Sequence, residues 1–311
     1  MNSILVTGAN GFIGSNLIKN LSQDSDNYIV GLGFDIHYPT LANQMFYGDI
    51  RDKDLIPRIL SDYEIDVIYH LAAQSIVRIS ATNPVNTYEI NIMGTVNLLE
   101  ACRTVGKRVK SVVISTSDKA YGHAKSPYNE DTPLQPLFTY EASKACQDII
   151  GRNYAHNYDV PVKIARCGNV YGPGDHNKSR LIPNSIIQCL LGKSPVLYNG
   201  VHNYVREFVY IDDVISAFKC ISTKGNVGEA YCVGGMGHYK ILDIIEMIIA
   251  TINPILQPEI CEKDISFKEI TEQWIDSSKL KGLGWNPETS LHDGLLQTIE
   301  YYKKEYNDKT F

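Results

Sequence analysis

The sequence of 311 residues predicts an α/β protein built on a doubly wound parallel sheet, with a smaller C-terminal lobe. Two observations lead there. Apolar runs of strand length recur at 4–6, 28–32, 66–73, 111–117 and 162–167, and segments with helical spacing, such as 96–101, separate them. After Arg166 the rhythm changes, with Gly168, Gly172-Pro173-Gly174, Pro183 and Pro195 punctuating shorter elements.

The first run, Ile4-Leu5-Val6, leads into Gly8, Gly11 and Gly14, and Phe12-Ile13-Gly14-Ser15-Asn16-Leu17-Ile18 follows with helical apolar spacing. Strand, turn and helix are therefore expected in that order. Glycines at these positions let the backbone bend tightly and approach a pyrophosphate, whose charge the free amides of the helix start can meet. Turns also use glycine for positive φ alone, so the triplet needs its context. A second strand is expected over Tyr28-Ile29-Val30-Gly31-Leu32, and Asp35 follows, about 20 residues beyond the last glycine. A carboxylate there accepts hydrogen bonds from both ribose hydroxyls and repels a 2′-phosphate, which favours NAD over NADP. The alternative is that Asp35 only caps a loop, with Gly33 ending the strand.

Further on, Ser117 closes the run Val112-Val113-Ile114, which places it at the carboxyl edge of a strand, where open α/β sheets bind ligands. Tyrosine followed four residues later by lysine puts both side chains on one helical face, where an ammonium lowers the phenol pKa and makes it a usable base. Two such pairs occur, Tyr121/Lys125 and Tyr140/Lys144. Gly122 and Pro127 mark the first as loop, whereas Tyr140 opens a helical stretch behind the breaker Pro136.

In the last third, Glu207-Phe208-Val209-Tyr210-Ile211, a helix after Asp212-Asp213, and Glu229-Ala230-Tyr231-Cys232-Val233 are expected to return to the main sheet. The resulting division is 1–167 with 206–234 in the large domain, and 168–205 with 235–311 in the lobe. Trp285-Asn286-Pro287 begins a closing segment that ends in a polar helix.

Composition narrows the partners. A net charge of −6 shows no basic surplus for nucleic acid. The longest apolar stretch, near 241–252, is broken by Asp243 and Glu246, well short of the roughly 18 residues of a membrane span. Met1-Asn2-Ser3 runs straight into the first strand, so no signal peptide is expected. The seven cysteines form no CxxC pair and read as reduced thiols of a cytoplasmic protein, and the eight histidines show no metal-ligand spacing, so no metal is expected.

Taken together, Thr7-Gly8-Ala9-Asn10-Gly11-Phe12-Ile13-Gly14, Gly48-Asp49-Ile50-Arg51-Asp52, His70-Leu71-Ala72-Ala73-Gln74, Tyr140 with Lys144, and Asn169-Val170-Tyr171-Gly172-Pro173-Gly174 resemble the extended short-chain dehydrogenase/reductases, in their nucleotide-sugar epimerase and dehydratase branch. Within that branch the chain is most similar to the CDP-glucose 4,6-dehydratases, through Ser75-Ile76-Val77-Arg78, Asn91-Ile92-Met93-Gly94-Thr95, Thr116-Ser117-Asp118-Lys119 and Arg180-Leu181-Ile182-Pro183. The likeness fades beyond Pro183, and Arg206-Glu207-Phe208-Val209-Tyr210-Ile211-Asp212-Asp213-Val214 is closer to the general epimerase and dehydratase pattern. Where related enzymes carry an arginine ahead of Asp276, this chain has Glu272-Gln273-Trp274-Ile275.

The resemblance implies a Rossmann sheet, bound NAD and a nucleotide diphosphate sugar as substrate. It implies transient oxidation at sugar carbon 4, elimination of water across carbons 5 and 6, and hydride return to carbon 6. Tyr140, Lys144 and Ser117 would serve the oxidation. Asp118 would be the acid, and Lys119 the base or the enolate stabiliser. The cofactor would meet Gly8, Asn10, Gly11, Phe12, Ile13, Gly14, Asp35, Asp49, Ile50, Leu71, Ala72, Ala73, Gln74, Tyr140 and Lys144. Ser75, Asn169, Arg180, Leu181 and Arg206 would meet the substrate, although Arg206 suits an ion pair with Glu207 equally well. Helices near 92–103 and 141–155 would pair across a two-fold axis in a homodimer, or pack within the chain as amphipathic helices usually do. A 4-epimerase shares the oxidation step, and a regulator that senses NAD without turnover would share the binding site.

Overall fold

The computed structural model describes residues 2–35, 40–105, 108–198, 200–262 and 270–307. Six strands come first: β1 (Asn2–Thr7), β2 (Asn27–Gly33), β3 (Gln44–Tyr47), β4 (Val67–His70), β5 (Ser111–Ser117) and β6 (Val162–Cys167). They are followed by β7 (Asn169–Tyr171), β8 (Val196–Tyr198), β9 (Val205–Tyr210), β10 (Ala230–Val233), β11 (His238–Lys240), β12 (Glu259–Cys261) and β13 (Glu272–Gln273). The large sheet has the order β10-β6-β5-β4-β1-β2-β3, and every pairing in it is parallel.

The helices along this part of the chain are α1 (Phe12–Leu21), α2 (Leu55–Asp62), α3 (Val77–Thr82), α4 (Pro84–Tyr88), α5 (Gly94–Val105), α6 (Thr139–Tyr158), α7 (Leu181–Leu190) and α8 (Ile211–Lys224). Of these, α1, α2, α5, α6 and α8 flank the two faces of the sheet, α3 and α4 lie against α6, and α7 packs away from the sheet. Strand alternation divides the apolar residues between two cores. Ile4 and Val6 of β1 pack with Leu17 and Ile18 of α1 and Phe218 of α8. Leu5, between them, packs with Ile56 and Ile59 of α2 and Leu98 and Leu99 of α5. Continuous apolar runs at 4–6 and 112–114 are what a strand buried on both faces requires.

The remaining strands form a smaller sheet and a short pair. β9 is flanked by β11, β13 and β7, and β8 pairs with β12. Helices α9 (Ile241–Ile252), α10 (Ser278–Lys281) and α11 (Leu291–Asn307) belong to this half of the chain. The apolar core under α1 and α8 continues without a break into α7, α9 and α11, through Tyr171, Tyr210, Ile245 and Ile299.

Two expectations need correction. The segment 206–210 does not return to the large sheet: β9 is the centre of the small one, while α8 packs against β5 and β6 and β10 joins β6. Val-Arg-Glu-Phe-Val-Tyr buries residues on both of its faces, so its pattern does not say which sheet covers it. The sequence reading also missed β3, whose Gln-Met-Phe-Tyr is short, half-buried and at the sheet edge, with too little alternation to announce a strand.

The turn between β1 and α1 is tight. Gly8 has φ of 70°, and a Cβ on Gly14 would lie 2.2 Å from the Gly8 carbonyl oxygen. Since that neighbour is backbone, Gly14→Ala must push α1 off β1. The expected cost is about 1–3 kcal/mol of folding stability, read as a lower urea midpoint; an unchanged midpoint would show that α1 shifts freely.

Candidate active site

Strand order reverses between β1, with β2 on one side, and β4 on the other, so the chain leaves their carboxyl ends in opposite directions and opens a crevice. Gly8 sits on one wall of it. A Cβ there would meet the Ala72 amide nitrogen and the Leu71 carbonyl carbon, both at 2.8 Å, so glycine is required by close approach as well as by φ. Gly11 precedes α1 with no side chain to cap it, which leaves the amides of Phe12 and Ile13 directed at the crevice. Asn10 is buried beside Gly33, where a Cβ would fall 1.4 Å from the Asn10 Oδ1. Asp35 lies two residues past β2 and is half-buried.

Farther along the same wall, Ile50 is buried against Gly94. The Asp49 carboxylate pairs with Arg51 at 2.6 Å, which holds its pKa below the ordinary aspartate value. The loop 71–76 is half-buried apart from the exposed Ser75. Leu71 donates its amide to the Thr7 carbonyl, and Gln74 donates its amide to Asn91 Oδ1 at 2.7 Å.

Behind this loop lies a polar network. The Thr7 hydroxyl accepts from the amides of Leu71 and Ala72, both at 3.2 Å, and is bonded to His70 Nδ1 at 2.8 Å. His70 Nε2 is bonded to the Thr95 hydroxyl at 2.9 Å. Thr95 in turn donates to the Asn91 carbonyl at 2.6 Å and accepts from Gln147 Nε2 at 2.7 Å. With Thr95 donating to a carbonyl, the chain of bonds places the imidazole proton on Nε2. Burial, together with the Lys144 charge, pushes the His70 pKa down to about 3, so the ring is neutral.

The catalytic candidates converge at the carboxyl end of β5. Ser117 caps a 3₁₀ turn spanning Asp118–Tyr121: its hydroxyl accepts from the Lys119 amide at 3.2 Å and donates to Asp118 Oδ1 at 3.1 Å. Asp118 is buried, at 2% exposure, which raises its pKa against the opposing influence of Lys119, the Ser117 hydroxyl and Arg206. Lys119 is half-buried beside it.

Tyr140 lies in the first turn of α6, whose start is fixed by Glu141 Oε2 accepting from the amides of Leu137 at 3.0 Å and Phe138 at 3.2 Å. One turn on, the Lys144 Nζ donates to the Ser115 carbonyl at 3.0 Å, and burial brings its pKa down to about 8. Burial pushes the Tyr140 phenol up to about 12. The largest opposing charge is Arg180, not Lys144 as the helical spacing leads one to expect, and a hydrogen bond to Ser117 works in the same direction as Arg180.

The structure also places the residues assigned to the substrate. Arg180 immediately precedes α7, and its Nη1 donates to both oxygens of buried Asp175 at 2.9 Å, while Leu181 opens the helix. Asn169 Nδ2 donates to the Glu207 carbonyl at 3.0 Å, which fastens β7 to β9. Arg206 departs from expectation. It is buried over the Tyr204 ring, and its guanidinium donates to the carbonyls of Val205, Thr271 and Ile270 instead of presenting an open fork. Glu207 was not assigned a role from sequence, yet it is buried near Asp118, accepts from the Ile275 amide at 2.9 Å, and has a pKa pushed up to about 8 by burial. Nor were Asn91 and Thr95, although both lie in a stretch recognised as a motif. Polar side chains at buried helical positions were their only signal.

Among the described residues no three His, Cys, Asp or Glu side chains gather as a metal site, and no helix is long and apolar enough to cross a membrane. Residues 5–298 match the family described as GDP-mannose 4,6 dehydratase. The chain belongs to that family. The dTDP-glucose 4,6-dehydratase 1 of Escherichia coli K12 is 32% identical to it over 340 residues, covering 96% of this chain and 92% of the relative. Among solved structures, the dTDP-glucose 4,6-dehydratase DesIV of Streptomyces venezuelae, with NAD and TYD bound, superposes with a TM-score of 0.89 at 30% identity, covering 98% of each chain. A UDP-glucose 4-epimerase of Thermotoga maritima, solved with UDP-glucose, gives a TM-score of 0.91 at 26% identity over 98% of this chain and 99% of its own. The same backbone thus occurs in a dehydratase and in an epimerase, and the side chains at the end of β5 have to separate the two.

Two of these buried groups give stability opposite slopes with pH. Below pH 6.5 only the unfolded chain protonates His70, so its contribution is lost as pH falls toward 3, by up to about 1.4 kcal/mol per pH unit. Glu207 is protonated in the fold up to about 8 but ionises above 4.5 when unfolded, so its contribution is lost as pH rises. The clean readout is a difference between variants. His70→Gln is expected to be less stable than the parent near pH 7.5, with the gap narrowing by about 2 kcal/mol near pH 5 in urea denaturation. A constant gap would mean that His70 takes up its proton as readily in the fold as in the unfolded chain.

Proposed function

We propose that this chain is an NAD-dependent nucleotide-sugar 4,6-dehydratase, a lyase that makes an NDP-4-keto-6-deoxy-hexose. The observation that carries this reading is Asp118: a buried carboxyl with a raised pKa, hydrogen-bonded to Ser117 and followed by Lys119, at the strand end where Tyr140 arrives from α6. Oxidation at carbon 4 needs only Ser117, Tyr140 and Lys144. A buried carboxyl beside them, with its pKa raised by burial, suits a second step, loss of hydroxide from carbon 6 as water.

The crevice fits NAD on its own geometry. A Cβ at Gly8 or Gly14 would collide with backbone, and the start of α1 presents uncapped amides suited to a pyrophosphate. In this reading Asp35 accepts from the ribose hydroxyls, Asp49 and Ile50 flank the adenine, and Asn10 and the loop of Leu71, Ala72, Ala73 and Gln74 line the path between. NAD, when bound, accepts a hydride and later returns it.

The chain's own residues handle the protons. Tyr140 takes the proton of the sugar 4-hydroxyl while Ser117 holds that oxygen, and Arg180 and Lys144 supply the positive charge that a buried phenolate needs. With a ketone at carbon 4, the proton on carbon 5 becomes acidic. Lys119 removes it or stabilises the enolate, and Asp118 gives its proton to the departing 6-hydroxyl. Ser75, Asn169, Arg180 and Leu181 border the substrate, with Arg206 shaping its wall through the carbonyls it holds. The exposed apolar residues Met93, just ahead of α5, and Ile149 and Tyr158 on α6 support a homodimer across those helices. The seven free thiols support a cytoplasmic location.

Likeness to epimerase structures makes 4-epimerisation the competing outcome. Incubation with CDP-, UDP-, dTDP- and GDP-glucose is expected to yield a 4-keto-6-deoxy product from one of them. A 4-epimer formed without loss of water would replace the dehydratase reading. Lys119→Met should still reduce the cofactor on mixing with substrate but form product about 100-fold more slowly or worse. Dehydration at the parent rate in that variant would remove Lys119 from the mechanism.

A further inference from the structure

Arg166 is buried in β6, at 1% exposure, and takes no part in the mechanism above. Its Nε and Nη2 donate to the two oxygens of Asp148 at 2.7 and 2.9 Å, a bidentate pair. Its Nη1 donates to the Tyr121 hydroxyl at 2.9 Å and to the Glu130 carbonyl at 3.1 Å, and the guanidinium lies 5.2 Å above the Tyr121 ring. Tyr121 donates onward to the Asn129 carbonyl at 2.8 Å and stacks on Tyr128 with ring centroids 4.7 Å apart.

Each end of this assembly leads to one half of the proposed chemistry. Tyr121 is the last residue of the turn that begins at Asp118, so Asp118 and Lys119 are held between the Ser117 cap and the Tyr121 anchor. Just beyond, Gly122 has φ of 56°, and a Cβ there would fall 1.9 Å from the Gln135 carbonyl oxygen, so the turn cannot slide past that point. At the other end, Asp148 follows Tyr140 and Lys144 at four-residue steps on the same face of α6. One guanidinium therefore joins the element bearing the proton donor to the helix bearing the phenol.

We propose that Arg166 is a positioning residue that sets Asp118 and Lys119 relative to Tyr140 through its bonds to Tyr121 and Asp148. The proposal rests on the dehydratase reading. Oxidation needs Tyr140 and Lys144, which α6 places, and Ser117, which the end of β5 places. Elimination needs Asp118 and Lys119 at the neighbouring carbons of the same hexose, and the clamp adds a buried side-chain link to the direct packing of the turn on α6. The planar fork is essential to it, since a lysine ammonium cannot hold the carboxylate side-on and the phenol at once. The side chain is walled off from the crevice, so its effect travels through Tyr121.

The test follows both half-reactions by rapid mixing of holoenzyme with the nucleotide-hexose that the parent dehydrates, in Arg166→Lys and in Tyr121→Phe. The second variant keeps the ring and removes only the bridging hydroxyl, so it guards against a fold too damaged to read. The expected result is cofactor reduction within about threefold of the parent rate, with elimination slowed on the order of 10- to 100-fold. Reduced cofactor and 4-keto-hexose then accumulate, KM stays near the parent value, and hydrogen exchange quickens at 118–122 while 140–148 keeps its protection. Oxidation and elimination falling together, or an unchanged balance between them, in Tyr121→Phe overturns the proposal. A parent enzyme that oxidises a hexose but never releases water overturns the dehydratase reading, and the clamp's role with it.

Discussion

The parting of the chain at the carboxyl ends of β1 and β4 is the constraint on which the molecule depends. Neighbouring strands there continue to opposite faces of the sheet, so no connection can cover the gap between them. Everything of chemical interest borders that gap: the glycine turn after β1, the loop after β4 and the capped turn after β5. The space is kept in shape by backbone contact and not by large side chains. Gly8 touches Leu71 and Ala72 directly, and the Thr7 hydroxyl holds the same two residues from behind. Its shape is thus fixed by close backbone approach and hydrogen bonds to the loop amides.

Around this space, burial is used selectively. Asp118 and Glu207 are driven toward their protonated forms, and Lys144 and His70 toward their neutral ones. Arg166 is equally buried, yet its two hydrogen bonds to Asp148 hold its pKa above the ordinary arginine value. The difference is one of partners. A group whose neighbours are carbonyls and hydroxyls is free to exchange a proton, and one locked in a side-on pair is not. Asp118 borders the crevice, whereas His70 lies in the network behind the loop after β4 and Arg166 with Asp148 is enclosed in the interior.

The sequence made the large sheet legible because its strands are buried on both faces and read as unbroken apolar runs, and because glycine spacing after β1 leaves few alternatives. Ser117, Tyr140 and Lys144 were legible for a related reason, since a strand end and a four-residue helical step fix where they point. What could not be read depends on contacts distant in sequence. β9 gives no sign of which sheet will receive it, β3 is too short and too exposed, and Arg206 looks like a surface cation until the carbonyls of 270 and 271 close over it. Asn91 and Thr95 were visible as letters in a motif, but their partners Gln74, His70 and Gln147 come together only in the fold.

The apolar core that passes unbroken from α1 and α8 into α7, α9 and α11 bears on how a sugar nucleotide enters. Two bodies that share one interior have no oily seam that can part cheaply. Swinging them open would wet Tyr171, Tyr210 and their neighbours at about 25 cal/mol for each Å² uncovered. A route for substrate that leaves the two halves fused avoids that cost.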